Sequence, residues 1–398
     1  MKSAHGLNSH GKSRRGFLLT LGGLGAATAA FGTHTAVFYQ SLGDPSSSSP
    51  LYDGPLLPDA IQHPVDTGFT HTTRAIEVVK GLDLTGKTVV ITGGHSGTGR
   101  EAARALASAG ARIIALSRDI ERARNNLSDI RNARIEYMDL LKPESIDAVA
   151  RKVVASGEAV HILINSAAIM GTPQQYDARG YERQFATNVL GHYQLTARLL
   201  PALTNANGAR IVNLASRGHR AGGVNFDDIH FRKTPYTGMS AYAQTKTAQA
   251  LMAVVLDKKL KSRNIRALAV HPGAVPSTDL FAAGRVGYDS AGMVELARLN
   301  AGVVRATHMT EIMNAFRSPE NTGDIYKTVE QGGATTTWAA SAAMLENTGG
   351  VYLEDCNFAP MVPDGSPAPF GVRPWALDPG FAERLLRGCE EMTGVKLL

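Results

Sequence analysis

Thr92-Gly93-Gly94-His95-Ser96-Gly97-Thr98-Gly99 decides how this 398-residue chain folds. It follows Thr88-Val89-Val90-Ile91, a short apolar run that reads as a buried parallel strand. It precedes Arg100-Glu101-Ala102-Ala103-Arg104-Ala105-Leu106-Ala107, which reads as a helix. A glycine-rich surface loop would account for the glycines alone. A strand before them and a helix after them favour a dinucleotide-binding start. Gly93 permits the tight turn, Gly97 a close backbone approach to a pyrophosphate, and Gly99 the packing of helix on strand. The helix N-terminus offers N–H donors and a positive dipole end to the phosphates.

Length allows a large core. The net charge of +6 comes from 41 Lys+Arg against 35 Asp+Glu, and part of it is local, in Arg14-Arg15 and Lys258-Lys259. No basic patch is interleaved with aromatics, so nucleic acid is not an expected partner. The two cysteines, Cys356 and Cys389, lie far apart, which excludes a disulfide framework. No H-E-x-x-H or comparable histidine cluster points to a metal.

Ser13-Arg14-Arg15-Gly16-Phe17-Leu18 resembles the twin-arginine export pattern. An apolar, Gly/Ala-rich segment follows to about Phe31, with Ala27-Thr28-Ala29 as a small-residue cleavage candidate. This predicts a signal over residues 1–36 and an extracytoplasmic, periplasmic destination. If the signal is uncleaved it is the one expected membrane contact; without export the protein is expected in the cytoplasm. Residues 37–67, with Asp44-Pro45-Ser46-Ser47-Ser48-Ser49-Pro50, read as a linker. Residues 68–398 read as one folded domain. In it strands alternate with helices: 111–117, 134–138, 160–165, 210–215 and 267–271 as strands, 181–200, 241–259 and 330–344 as helices, and a last strand at 349–353. That alternation predicts an α/β fold, a single doubly wound parallel sheet with helices on both faces. Residues 275–325 read as irregular.

Tyr242-Ala243-Gln244-Thr245-Lys246 places a phenol and an ammonium one helical turn apart on the same face. A cation beside the phenol favours the phenolate and lowers a pKa that is otherwise about 10. Ser216 ends the strand Ile211-Val212-Asn213-Leu214-Ala215, at the carboxyl edge where α/β sheets place ligands. Any one of these residues alone is more often ordinary surface; together they point to acid/base chemistry on an oxygen. The second strand ends Leu116-Ser117-Arg118-Asp119. Arg118 suits the 2′-phosphate of NADP, whereas an acidic residue would select NAD. NAD stays the alternative, because Asp119 can instead pair with Arg118.

Thr-Gly-x-x-x-Gly-x-Gly with Ser216, Tyr242 and Lys246 resembles the short-chain dehydrogenase/reductase family. Ser96 stands where the extended subgroup has glycine, so the non-extended, Rossmann-fold subgroup is implied. Leu84-Thr85-Gly86-Lys87, Glu330 to Ala340 and Gly349 to Cys356 resemble retinol-dehydrogenase and WW-domain-oxidoreductase-like members; the resemblance spans about residues 70–385. It implies Ser216, Tyr242 and Lys246 as catalytic residues. It implies Asn188 as the helix asparagine that bends the helix and holds a relay water. For the cofactor it implies Thr92, Gly93, His95, Ser96, Gly97, Thr98, Gly99, Arg118, Asp139, Leu140, Asn165, Ala167, Tyr242, Lys246, Pro272, Gly273 and Ser277, with Thr278 as plausible as Ser277 for the carboxamide. Ala168 departs from the family's glycine.

The implied activity is hydride transfer between NADP(H) and an alcohol/carbonyl pair. The substrate is a small molecule, lipophilic by the apolar residues Leu280, Phe281, Val286, Tyr288, Met293 and Leu296. Alternatives are reduction of a carbon–carbon double bond, as in protochlorophyllide-reductase-like relatives, and a non-catalytic nucleotide sensor. In many relatives the long helices bearing Asn188 and Tyr242 form a homodimer face, unless an extended tail covers it.

Overall fold

In the computed structural model, which describes residues 62–131, 133–280, 326–366 and 368–398 together with Gly302, Thr310 and Asn314, eight strands form one sheet. The strands are β1 (Thr88–Thr92), β2 (Arg112–Ser117), β3 (Arg134–Tyr137), β4 (Ile162–Asn165), β5 (Ala209–Leu214), β6 (Ile265–His271), β7 (Val351–Glu354) and β8 (Asn357–Phe358). Their order is β3-β2-β1-β4-β5-β6-β7-β8. All neighbours pair in parallel except β7 with β8. The chain reverses its direction of travel across the sheet between β1 and β4. Such a reversal is where sheets of this kind take a ligand, outside the carboxyl ends of the strands.

Alternating strand residues feed two layers of core. Val90, Ile114, Leu116, Leu163 and Ile211 face one layer; Val89, Ile91, Ile113, Ile162, Ile164 and Val212 face the other. The helices divide accordingly. Short α1 (Ala75–Val78), α2 (Gly97–Ser108) and α3 (Ile120–Asn126) come first, then α4 (Pro143–Ala155). The long helix α5 runs through Arg183–Phe185, a π-turn at Ala186–Leu190 and Gly191–Thr204. Further on are α6 (Gly238–Leu260), α7 (Val329–Gly332), α8 (Ala334–Ser341) and α9 (Pro379–Thr393). α4, α5, α6 and α9 line the first layer, and α1, α2 and α8 the second. Both cysteines are free and buried, Cys389 in the first layer and Cys356 in the second. Burial pushes the Cys356 thiol up to about 12, so it is inert at neutral pH.

The expected strands are present within a few residues. The stretch read as one helix over 330–344 is two helices, α7 and α8, followed by a 3-10 turn at Ala343–Leu345. α9 and β8 were not anticipated. Tyr193 and Tyr181 on or beside α5 donate to the carbonyls of Val395 (2.8 Å) and Met392 (3.1 Å). Lys258 and Lys259 on α6 pair with Glu383 at 3.0 and 3.1 Å. The tail therefore lies on the two helices expected to form a dimer face.

Gln62 and Val65 fall in the stretch read as linker but are built into the fold. The Gln62 amide accepts from Tyr352 N (2.9 Å) and donates to the Tyr352 and Ala359 carbonyls. Asn357 clasps Val65 through both main-chain groups. The signal segment and linker residues 37–61 lie outside the described residues, as do Phe281, Val286, Tyr288, Met293 and Leu296. Among the described residues no helix is long and apolar enough to cross a membrane, and no cluster of three or more His, Cys, Asp or Glu could hold a metal.

Candidate active site

The glycine-rich loop spans the end of β1 and the start of α2. Gly93 has φ +66°, and a methyl group there would meet the Ala167 backbone at 3.1 Å. A methyl at Gly99 would lie 2.9 Å from both the Gly93 carbonyl and Ser166 Oγ. These contacts leave no room for a side chain at Gly93 or Gly99, so the turn packs closely on the loop after β4. Ser96 precedes α2 in extended conformation. His95 Nδ1 is buried with no partner, and burial lowers the ring's pKa. A buried polar atom without a partner beside such a cradle fits a polar ligand.

Thr92 does not face the crevice. Its hydroxyl accepts from Ser166 N and Ala167 N, both at 2.9 Å, and meets His192 Nε2 at 2.8 Å. With both acceptor positions filled, the hydroxyl donates to His192. His192 Nδ1 then donates to the Asn188 carbonyl at 2.9 Å. Burial lowers His192 to about 4, so it stays neutral in this tautomer. Asn165 also turns inward, donating to Asn213 Oδ1 (2.9 Å) and Thr196 Oγ1 (3.2 Å). It fixes β4 to β5 through its amide nitrogen, while its Oδ1 is buried without a partner. Ala168 is not among the residues with positive φ, so alanine carries no strain there.

Asp119 accepts from Arg122 N at 3.0 Å as the N-cap of α3. Among the described residues no ion pair joins it to Arg118, which is exposed. Asp139 Oδ1 accepts from Leu141 N at 3.0 Å, and Leu140 packs against Gly191 of α5. Pro272-Gly273 follows β6. Ser277 is 1 % exposed, whereas Thr278 Cγ2 would touch a methyl on Gly97 at 3.3 Å. Of the two residues left open, Thr278 is the one that lies on the glycine loop.

Ser216, Tyr242 and Lys246 converge at the carboxyl end of β5. A methyl built on Gly218 would sit 3.1 Å from Tyr242 Cε1 and 3.5 Å from Ser216 Oγ. The serine hydroxyl and the phenol ring thus border one point. Ser216 Oγ accepts from Gly218 N at 3.0 Å, so its own proton can be donated outward. Lys246 Nζ lies 5.4 Å from the Tyr242 ring centroid and donates to the Leu214 carbonyl at 2.7 Å. Burial brings the Lys246 ammonium down from 10.5 to about 7.

Asn188 stands in the π-turn at Ala186–Leu190. Its amide accepts from Ile169 N (2.9 Å) and donates to Ile169 O (2.9 Å) and Thr245 Oγ1 (3.1 Å). Its carbonyl accepts from His192 and from Gln249 Nε2. A relay water on that carbonyl would have to displace one of them. Asn188 is a brace between α5, the loop after β4, and α6 beside Lys246.

Sequence reading missed several supports. His192 lies one turn after Asn188, and Gln249 one turn after Lys246; those i+4 and i+3 spacings were the available signal. His219 donates from Nδ1 to the Ser216 carbonyl at 2.7 Å and accepts from Arg373 N at 3.1 Å. Lys327 is 5 % exposed, packs its stem on Gly273 and pairs with Asp355. These two residues hold the serine and the Pro-Gly turn in place from behind.

A doubly wound sheet with a glycine cradle at its switch point and a Ser/Tyr/Lys set at the end of β5 defines a dinucleotide-dependent oxidoreductase class. The comparisons agree. Residues 87–287 match the short chain dehydrogenase family model. A probable oxidoreductase of Streptomyces lividans is 35 % identical over 315 residues, 76 % of this chain and 96 % of the relative. Mouse retinol dehydrogenase 12 is 33 % identical over 281 residues, 69 % of this chain and 79 % of the relative. A crystal structure of an uncharacterised Mycobacterium paratuberculosis protein has a TM-score of 0.58 at 26 % identity, covering 81 % of this chain and 98 % of that one. The chain belongs to the short-chain dehydrogenase family, whose members bind a nicotinamide cofactor.

Proposed function

We propose that this oxidoreductase transfers hydride between NADP(H) and the alcohol/carbonyl pair of an apolar small molecule, with Tyr242 as general acid and base. The observation that carries the reading is the meeting of Ser216 Oγ and the Tyr242 ring at Gly218, with the Lys246 ammonium 5.4 Å from that ring. The nicotinamide, when bound, supplies or accepts the hydride. Ser216 donates a hydrogen bond to the substrate oxygen and stabilises alkoxide character. Tyr242 protonates that oxygen in reduction and takes the proton back in oxidation. Lys246 stabilises the phenolate by charge and has further N–H donors, beyond the bond to Leu214, for the ribose. The residues fit the cofactor: the turn is free of side chains at Gly93 and Gly99, where a methyl group would meet Ala167 and Ser166, and His95 Nδ1 lacks a partner.

NADP is the preferred cofactor because Arg118 is exposed at the end of β2 while Asp119 is engaged as a helix cap. A screen of apolar aldehydes and ketones with NADPH or NADH, followed by product mass and carbonyl assay, tests the activity. Loss of the carbonyl supports it. A product that keeps the carbonyl and gains two hydrogens assigns alkene reduction instead. Arg118→Ala is expected to weaken NADPH binding roughly 10-fold or more and to leave NADH unchanged. Equal effects on both dinucleotides would remove the 2′-phosphate assignment.

The export reading of residues 1–36 belongs to the same proposal. A reporter fused behind residues 1–45 should reach the periplasm with Arg14-Arg15 and stay in the cytoplasm with Lys-Lys. Export of both, or of neither, counts against it.

A further inference from the structure

We infer that Arg122 and Asp279 form a clasp across the dinucleotide crevice and set how fast the cofactor leaves. The inference rests on the cofactor reading above. Arg122 lies on α3, immediately beyond β2, on the adenosine side of the crevice. Asp279 lies beyond β6, after the Pro272-Gly273 turn, on the nicotinamide side. In the sheet β1, β4 and β5 separate these two strands, yet Arg122 Nη2 donates directly to Asp279 Oδ2. The two side chains are 29 % and 25 % exposed, so the pair is partly sheltered from water.

Both ends are anchored to the glycine loop. On the α3 side, Asn126 Nδ2 donates to the His95 carbonyl at 3.0 Å, and Arg100 Nε of α2 donates to the Asn126 carbonyl at 2.6 Å. On the other side Thr278, next to Asp279, rests on Gly97. Thr278 is itself fixed by its hydroxyl to the Val275 carbonyl at 2.9 Å. The ion pair therefore closes a ring of protein around the place where the pyrophosphate crosses from one wall to the other. A dinucleotide spanning β2 to β6 can enter or leave only when the pair opens or the segment 275–280 lifts. Arg122 and Asp279 are positioning residues: neither is placed against the reacting atoms.

The test is stopped-flow release of NADPH and, separately, of NADH from the full-length protein, chased with excess oxidised dinucleotide. Asp279→Asn and Arg122→Gln should each raise the release rate about three- to tenfold. The double variant should be no faster than either single one. The exchange Arg122→Asp with Asp279→Arg should restore slow release, which a loss of folding could not do. Single-turnover hydride transfer from pre-bound cofactor should stay at the wild-type rate. Unchanged release in both single variants, or additive effects in the double one, would overturn the clasp. So would tighter NADPH binding in Asp279→Asn with weaker binding in Arg122→Gln, because Arg122 would then be a ligand of the 2′-phosphate. If NADH alone binds, the NADP preference fails while the clasp is still read on NADH. If neither binds, the cofactor reading fails and the clasp fails with it.

Discussion

Tyr242→Phe should lower kcat by about 10²- to 10⁴-fold while leaving NADPH affinity within about threefold of wild type. The split follows from where the ring sits. The side chain is 5 % exposed, its edge packs on Gly218, and its face is turned toward Lys246. Phenylalanine preserves all of that and removes only the hydroxyl. What is lost is the proton delivered to the substrate oxygen, an interaction made in the transition state, so the effect falls on kcat. Ser216→Ala should act on the same step but less severely, because it removes a donor and leaves the acid. The measurement is steady-state turnover of the best apolar carbonyl from the screen, beside fluorescence titration with NADPH. Turnover within threefold of wild type in Tyr242→Phe would end the acid/base assignment.

The parts of this molecule that were legible in the sequence are those where one physical rule dominates. Buried parallel strands need continuous apolar runs, and Val89 to Ile91, Ile162 to Ile164 and Ile211 to Leu214 supply them. The glycine loop was legible because backbone contacts such as Gly99 against Gly93 O exclude any side chain. The Tyr/Lys pair was legible because its spacing is local, with Tyr242 and Lys246 on one helix face, and Ser216 because it ends an apolar strand. The π-turn at Ala186–Leu190 was not visible as such in the periodicity, because one inserted residue leaves the apolar pattern of the helix nearly intact. The single helix expected over 330–344 divides at Gly332-Gly333, which seat against Thr98, Val275 and Glu101; only tertiary packing distinguishes that junction from helix interior. α9 carried its own signals, an Asp378 N-cap and Pro379 at the first position, and these were passed over. His192, Gln249, His219 and Lys327 are single polar residues in apolar surroundings. Their roles come from partners 28 to 154 residues away, as when His192 reaches Thr92 and His219 reaches Arg373. The i+4 and i+3 spacings place His192 and Gln249 one turn from Asn188 and Lys246, but no local pattern announces the distant partners.

Lys246→Met should abolish most activity and yet make the protein more heat-stable at low pH, and the two effects have one cause. Lys246 is 3 % exposed, and burial has brought its pKa from 10.5 to about 7. Below pH 7 the folded protein carries a charge in a site that disfavours it, and the whole cost is present. Between about 7 and 10.5 the unfolded chain binds a proton that the folded chain has released. Wild-type stability therefore rises with pH across that window through this group. The cost corresponds to at most about 4–5 kcal/mol. Methionine fills a similar volume without charge and has no titration. It also leaves the Leu214 carbonyl without its donor, a penalty that does not vary with pH. The difference in Tm, variant minus wild type, should thus be largest at pH 6 to 7 and shrink steadily towards pH 10. Thermal melts of both proteins across that range read it directly, with turnover measured in parallel. A difference independent of pH would mean that Lys246 is not held at a cost in the folded state. A buried lysine held at such a cost suits the acid/base role proposed for Tyr242, because the same desolvation that costs stability strengthens the attraction of its charged form for the Tyr242 phenolate.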